Sequence, residues 1–152
     1  MLIATETIRF LLCELADERY GLSMDMVREV IRWRTPTPIP GTPPTIVGML
    51  HHRGAILPVI DVRSLVGVGR PLPTRSTRII VVELGSIHAG IVGDAVVDIA
   101  EIDDRAIEPP PSSLPAAQAQ YLSGLIVYEE QPVALLNLEA IFGTITATYE
   151  AG

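Results

Sequence analysis

The sequence predicts an all-β fold with short helices, arranged as two similar small barrels within a single domain spanning residues 1–152. Two observations predict it. Short runs of Ile, Val and Leu are punctuated by 12 glycines and 13 prolines, a spacing that suits strands rather than helical bundles. The chain also repeats itself. Ile46-Val47-Gly48-Met49-Leu50 through Gly67 lines up without a gap on Leu122-Ser123-Gly124-Leu125-Ile126 through Gly143. Upstream, Phe10–Leu15, Gly21-Leu22 and Val27–Val30 echo as Ile79–Leu84, Gly90-Ile91 and Val96–Ile99. Shared residues speak for a shared fold, and a residue found in one copy alone is a candidate for function.

In order along the chain, strands are expected near residues 7–15, 19–23, 29–35, 47–52, 55–60, 77–84, 88–93, 96–102, 123–128 and 132–136. Each is an aliphatic run bounded by turn-forming residues. Short helices are expected after Ser23, Asp61 and Asn137, because each side-chain oxygen can accept a free backbone N–H at a helix start. Pro36–Pro44 and Pro109–Pro115 forbid long helices and read as extended connectors.

At 152 residues the chain can bury roughly 70% of its unfolded surface. It is 48% hydrophobic, yet no apolar run reaches the roughly 18 residues of a membrane span. The N-terminus has no basic stretch leading into an apolar one and carries Glu6, which argues against a signal peptide. Net charge is −7 and unevenly spread. Residues 1–78 hold ten arginines against seven acids, whereas residues 79–152 hold only Arg105 against eleven. Two lobes of opposite sign suit different partners and offer no basic stripe for nucleic acid. The single cysteine, Cys13, excludes an intrachain disulfide and reads as a small core residue.

No pattern for catalysis emerges. A nucleophile needs a base and an orienting group; there is no Gly-x-Ser-x-Gly, and Cys13 is distant in sequence from every histidine. His51 and His52 are adjacent and point to opposite faces of a strand, so no metal and no cofactor is expected. Gly67-Val68-Gly69 lacks the third glycine of a dinucleotide loop. Asp103-Asp104 and Glu129-Glu130 read as solvated turns.

What remains is a surface. Arg53-Gly54 is expected at a hairpin tip between two apolar strands, with Gly54 supplying the permissive backbone angle. The repeat carries Glu129-Glu130 at that place, so the hairpin does not require arginine. Flanking Val47, Met49 and Leu50 suggest an apolar setting in which an arginine anchor is desolvated. Glu29 repeats as Asp98, so a structural acid is as good a reading as a contact.

Tyr20-Gly21-Leu22, Val27-x-Glu29-Val30, Pro40-x-x-Pro43, Val47-Gly48, Arg53-Gly54, Leu57-Pro58-Val59-Ile60-Asp61-Val62-Arg63 and Gly90-Ile91-Val92-x-Asp94 together resemble the CheW-like family of bacterial chemotaxis coupling proteins. The resemblance runs from about Ile8 to Gly143, and Arg-Gly followed by Leu-Pro-Val-Ile-Asp-Val-Arg is its most specific part. It implies two five-stranded SH3-like β-barrel subdomains packed over a shared apolar seam. It also implies a non-enzymatic adaptor that couples chemoreceptor (methyl-accepting chemotaxis protein) cytoplasmic tips to the regulatory domain of a CheA-like histidine kinase, with other CheW-like domains as further partners. Such a protein would be cytoplasmic and recruited to receptor arrays, without membrane insertion. Partner contacts carried over by the resemblance are Val27, Glu29, Gly48 and Arg53, with Gly54 beside it, and Arg78, where the family is usually aliphatic. His51-His52 departs from the family's Asn-Leu. No receiver or kinase module accompanies the motif, so the chain reads as a stand-alone coupling protein. The alternatives are an adaptor of another chemosensory pathway (motility or gene regulation), a small-ligand-binding barrel or enzyme, and a homomeric structural protein.

Overall fold

The structure, a computed structural model, describes residues 6–151, with side-chain surroundings for residues 6–146. Ten strands form where the aliphatic runs place them: β1 (Thr7–Leu15), β2 (Glu18–Ser23), β3 (Val27–Arg32), β4 (Ile46–His52), β5 (Ala55–Ile60), β6 (Arg78–Leu84), β7 (Ile87–Gly93), β8 (Ala95–Asp103), β9 (Leu122–Tyr128) and β10 (Gln131–Leu136). Helix α1 (Ala116–Ala119) follows the Pro109–Pro115 connector, and α2 (Leu138–Ala151) follows β10.

Of the three expected helices, one forms. Asn137 caps α2, its Oδ1 accepting the Ala140 N–H at 3.1 Å. After Ser23 there is only a turn, because the Met26 and Val27 N–H close back on the Ser23 and Met24 carbonyls at 3.1 and 3.2 Å and the chain enters β3 at once. After Asp61 the chain makes a single turn closed by Val66 N–H to Val62 C=O at 3.2 Å. Asp61 Oδ1 does accept the Arg63 N–H at 3.0 Å, as a cap would. Gly67, left-handed at φ 79°, then turns the chain out, with the Val68 N–H reaching back to the Arg63 carbonyl at 3.0 Å.

The strands divide into two five-stranded sheets, ordered β8-β1-β2-β10-β9 and β3-β6-β7-β5-β4. Position by position these are the same sheet twice, yet neither is built from one sequence repeat. Each takes its first sheet position and its last two from one copy, and the β1-β2 or β6-β7 hairpin from the other. The expected lobes of opposite charge are therefore not the two halves of the chain. The second sheet and its loops, residues 27–93, hold eight arginines against three acids, and the rest of the chain holds three against fifteen. Charge segregates by barrel more sharply than by chain half.

Alternation along β1 and β6 assigns their faces. Phe10 and Leu12 fill the first barrel with Ala100, Ile126, Val133 and Leu135. Ile79 fills the second with Leu50, Val59 and Val92. The opposite faces, Leu11, Cys13 and Leu15 with Ile80 and Val82, join Val62, Leu138, Ile141 and Phe142 in one cluster drawn from both sheets. Gly21 and Gly90 repeat for a packing reason: a Cβ would lie 2.8 Å from Leu135 Cδ2 in one barrel and 2.5 Å from Ile79 Cγ2 in the other.

Candidate functional site

The β4-β5 hairpin closes through Arg53 and Gly54, both left-handed at φ 49° and 77°, as a two-residue turn requires when its twist must match the flanking strands. Across from it, β3 contains a bulge: Val27 pairs with Val82, but Glu29 already pairs with Val81. The extra residue re-aims the strand and sends Glu29 toward the hairpin tip. Although β3 and β4 are opposite edges of the sheet, barrel curvature brings Glu29 and Arg53 together.

Their contact is bidentate. Arg53 Nε donates to Glu29 Oε2 at 3.0 Å and Nη2 to Oε1 at 2.7 Å, while His52 Nε2 lies 2.9 Å from the same Oε2. The hydrogen bonds from Arg53, then from His52, hold the Glu29 carboxyl at about 2 against an ordinary 4.5. Arg53 stays 74% exposed while Glu29 is 27% exposed, so the guanidinium is anchored yet presented outward. Beside it Glu83 accepts from Arg28 at 2.9 Å and meets His88 at 3.1 Å. These residues, with Ile56, Leu57 and Val81, line a cleft of about 270 Å³.

The other barrel repeats the frame without the cation. Tyr128, equivalent to His52, donates its hydroxyl to Asp98 at 2.9 Å, and Asp98 is the counterpart of Glu29. A carboxylate gripped by the hairpin thus belongs to the fold, and arginine at the tip belongs to one copy only.

His88 also borders an apolar groove of about 340 Å³ between β5, β7 and α2, lined by Ile46, Pro58, Ile87, Phe142 and Ile145 among others. Around Val47, Gly48 and Met49 the edge of β4 is covered by a bridge between Thr37 and Met49, and Leu50 is core. Gly48, expected as a contact, is buried; a Cβ would collide with the Thr37 carbonyl, and Gly124 is hemmed in likewise by Ile107 and Glu108. Val27 is half-buried against the central cluster. Gly54 is exposed beside Arg53. Arg78 does not join this group: it pairs with Arg32 at the far end of β3.

Asp61, Arg63 and Asp94 of the family-like motif form a buried network that sequence reasoning missed. Arg63 donates Nε and Nη2 to Asp61 at 2.9 and 2.8 Å and Nη1 to Asp94 at 2.7 Å. Asp94 in turn accepts the Ala16 N–H from the β1-β2 turn at 2.6 Å, and Arg70 adds a second cation to Asp61 at 2.9 Å. Burial pushes the Asp61 carboxyl up, but hydrogen bonds and charge from Arg63, with the charge of Arg70, outweigh it and hold it below the ordinary aspartate range. The signal available in sequence was the asymmetry Asp61/Asn137 with Arg63/Glu139. Cys13 is fully buried and its thiol is pushed up to about 12, by desolvation first and then by Asp94 and Glu14, which leaves no thiolate for chemistry. Among the described residues no helix is long and apolar enough to cross a membrane.

The family model described as "CheW-like domain" matches residues 9–146. The chemotaxis protein CheW of Rhizobium meliloti (strain 1021) is 31% identical over 83% of this chain and 81% of its own. Protein FrzA of Myxococcus xanthus is 34% identical over 89% and 85%. Among solved structures, the scaffolding protein TtCheW from Thermoanaerobacter tengcongensis superposes with a TM-score of 0.79 at 32% identity, covering 87% of this chain and 90% of that one.

Proposed function

The chain belongs to the CheW-like domain family, whose members are scaffolding adaptors and not enzymes, and on that premise we propose that it couples chemoreceptors to a CheA-like histidine kinase. The observation that supports this reading best is the one-sided hairpin: an outward arginine clamped by Glu29, beside an apolar groove, with no cation at the equivalent tip of the other barrel. A receptor cytoplasmic helix would lay its apolar face into the groove between β5, β7 and α2. Arg53 would meet a polar or acidic group at the groove's edge, and Val27, Glu29 and Gly54 would frame it. The kinase regulatory domain, itself CheW-like, would dock on a separate barrel end. Signal passes as a difference in contact energy between receptor states, since a partner shifts an equilibrium only by its differential affinity.

Titration calorimetry with the receptor tip and with the kinase regulatory domain tests the proposal. Arg53→Glu should weaken one of these complexes by roughly tenfold or more with an unchanged circular dichroism spectrum; unaltered affinity for both removes Arg53 from the interface. The match to FrzA and the 28% identity to Protein PilI of Pseudomonas aeruginosa, neither named as a chemotaxis protein, favour a second reading: an adaptor for another chemosensory pathway. Co-purification decides between the two by the kinase that is recovered.

A further inference from the structure

One cross-strand position is filled differently in the two barrels, and the difference runs against stability. In the acidic barrel Arg9 on β1 lies opposite Glu101 on β8, and the two form an ion pair at 3.9 Å. At the equivalent position of the cationic barrel, Arg78 on β6 lies opposite Arg32 on β3. Like charges directly opposite one another weaken an antiparallel ladder. The ion pairs of the described residues join the arginines at 9, 28, 53, 63, 70 and 105 to carboxylates. Arg19 and Arg34 are in none of them, and neither are Arg32, Arg75 and Arg78, which alone of the five lie together. With 18 acids in the chain, carboxylates are not scarce. Cross-strand pairing does not account for the arrangement.

One of the three guanidiniums, that of Arg78, is held by the backbone. Arg78 Nη1 donates to the carbonyls of Arg75 and Thr77 at 2.7 and 2.9 Å. The turn that carries Arg75 is closed by the Thr74 N–H to Thr77 Oγ1 at 2.8 Å and the Ser76 N–H to Thr74 Oγ1 at 3.1 Å. Trp33 packs against the barrel core. Together Arg32, Trp33, Thr74, Arg75, Thr77 and Arg78 line an open notch of about 470 Å³.

We propose that this notch binds a nucleoside di- or triphosphate, with the phosphates on the three guanidiniums and the base against Trp33. Guanidinium groups match phosphate oxygens in a bidentate fork. A single protein carboxylate brings one charge and two oxygens to three cations, whereas an oligophosphate brings several charges in one compact group and so offsets the Arg32–Arg78 repulsion. Trp33 supplies the flat apolar face that a base requires. The notch lies at the opposite end of β3 from Val27 and shares with the adaptor reading only Arg78, which the resemblance carries over as a partner contact.

Trp33 is the only tryptophan, so its fluorescence reports on this notch directly. The whole chain is titrated with pyrophosphate, ADP and oligoglutamate at a fixed ionic strength of about 0.15 M, which screens diffuse attraction. Saturable quenching by ADP is expected, with pyrophosphate binding more weakly at the same site. Arg32→Glu, which restores the arrangement of the acidic barrel, should cut affinity for both by roughly tenfold or more and raise the melting temperature. Arg9→Ala should leave affinity unchanged. No response to ADP at millimolar concentration, or equal affinity in Arg32→Glu, overturns the proposal. Equal binding of ADP and pyrophosphate overturns the role given to the base, and tighter binding of oligoglutamate overturns it in favour of an acidic protein partner.

Discussion

Glu29 shows how a frame repeated in both barrels and a one-sided feature share a residue. Its copy Asp98 has the same structural task with a tyrosine, and only Glu29 meets an arginine. Because its folded value of about 2 lies below the ordinary 4.5, its contribution to stability is complete above pH 4.5 and disappears as pH falls toward 2. In carboxyl-carbon NMR titrations, Arg53→Ala should move Glu29 back up toward 4.5, while Arg9→Ala should not. The opposite hairpin carries a backbone cost: Glu129 and Glu130 are both left-handed, at φ 50° and 65°, where a side chain is disfavoured. Glu130→Gly should therefore stabilise the protein by about 1 kcal/mol in urea denaturation. Comparing the two copies was enough to single out Arg53 in the sequence. Its partner was not legible, since Glu29 reaches it through a bulge and a barrel closure that no local pattern encodes.

At the level of elements, all ten strands were readable because β-branched runs end at Pro, Gly or charged turns. The helices were read less well, because a capping side chain opens a turn without fixing how far the chain continues it. Asn137 does cap: Asn137→Ala should cost about 1 kcal/mol, seen as a lower thermal midpoint by circular dichroism. Asp61, its counterpart, caps as well through the Arg63 N–H, but the turn it opens is ended by Gly67, and its carboxylate is also gripped by the Arg63 guanidinium, which reaches on to Asp94. Leu50, read as part of an apolar setting for Arg53, is core for a related reason: apolar residues look alike in sequence whether they face solvent or a barrel interior. The glycines at 48 and 124 mark that difference, since both yield to a crossing segment.

For the molecule as a whole, the Asp61–Arg63–Asp94 network joins the loop after β5 to the β7-β8 junction and, through Ala16, to the other sheet. Removing one partner from such a buried set strands the remaining charges, so Arg63→Met should cost about 3–5 kcal/mol in equilibrium unfolding at neutral pH. Asp61 is held below its ordinary 3.8, so its stabilising contribution is present above pH 3.8 and is lost as pH falls through its depressed folded value. The gap between wild type and Arg63→Met should accordingly narrow in acid.

The interleaving of the two repeats was illegible because periodicity tells a strand which face to bury and not which neighbour to choose. It makes a cut at Leu72, 84% exposed between β5 and β6, informative. Each fragment would hold three strands of one barrel and the closing hairpin of the other, with no complete sheet of its own. Apart, both pieces should be unstructured; mixed, they should reassemble in equal proportion, an obligate fragment complementation in which the native tether serves only to keep two mutually dependent halves at high local concentration.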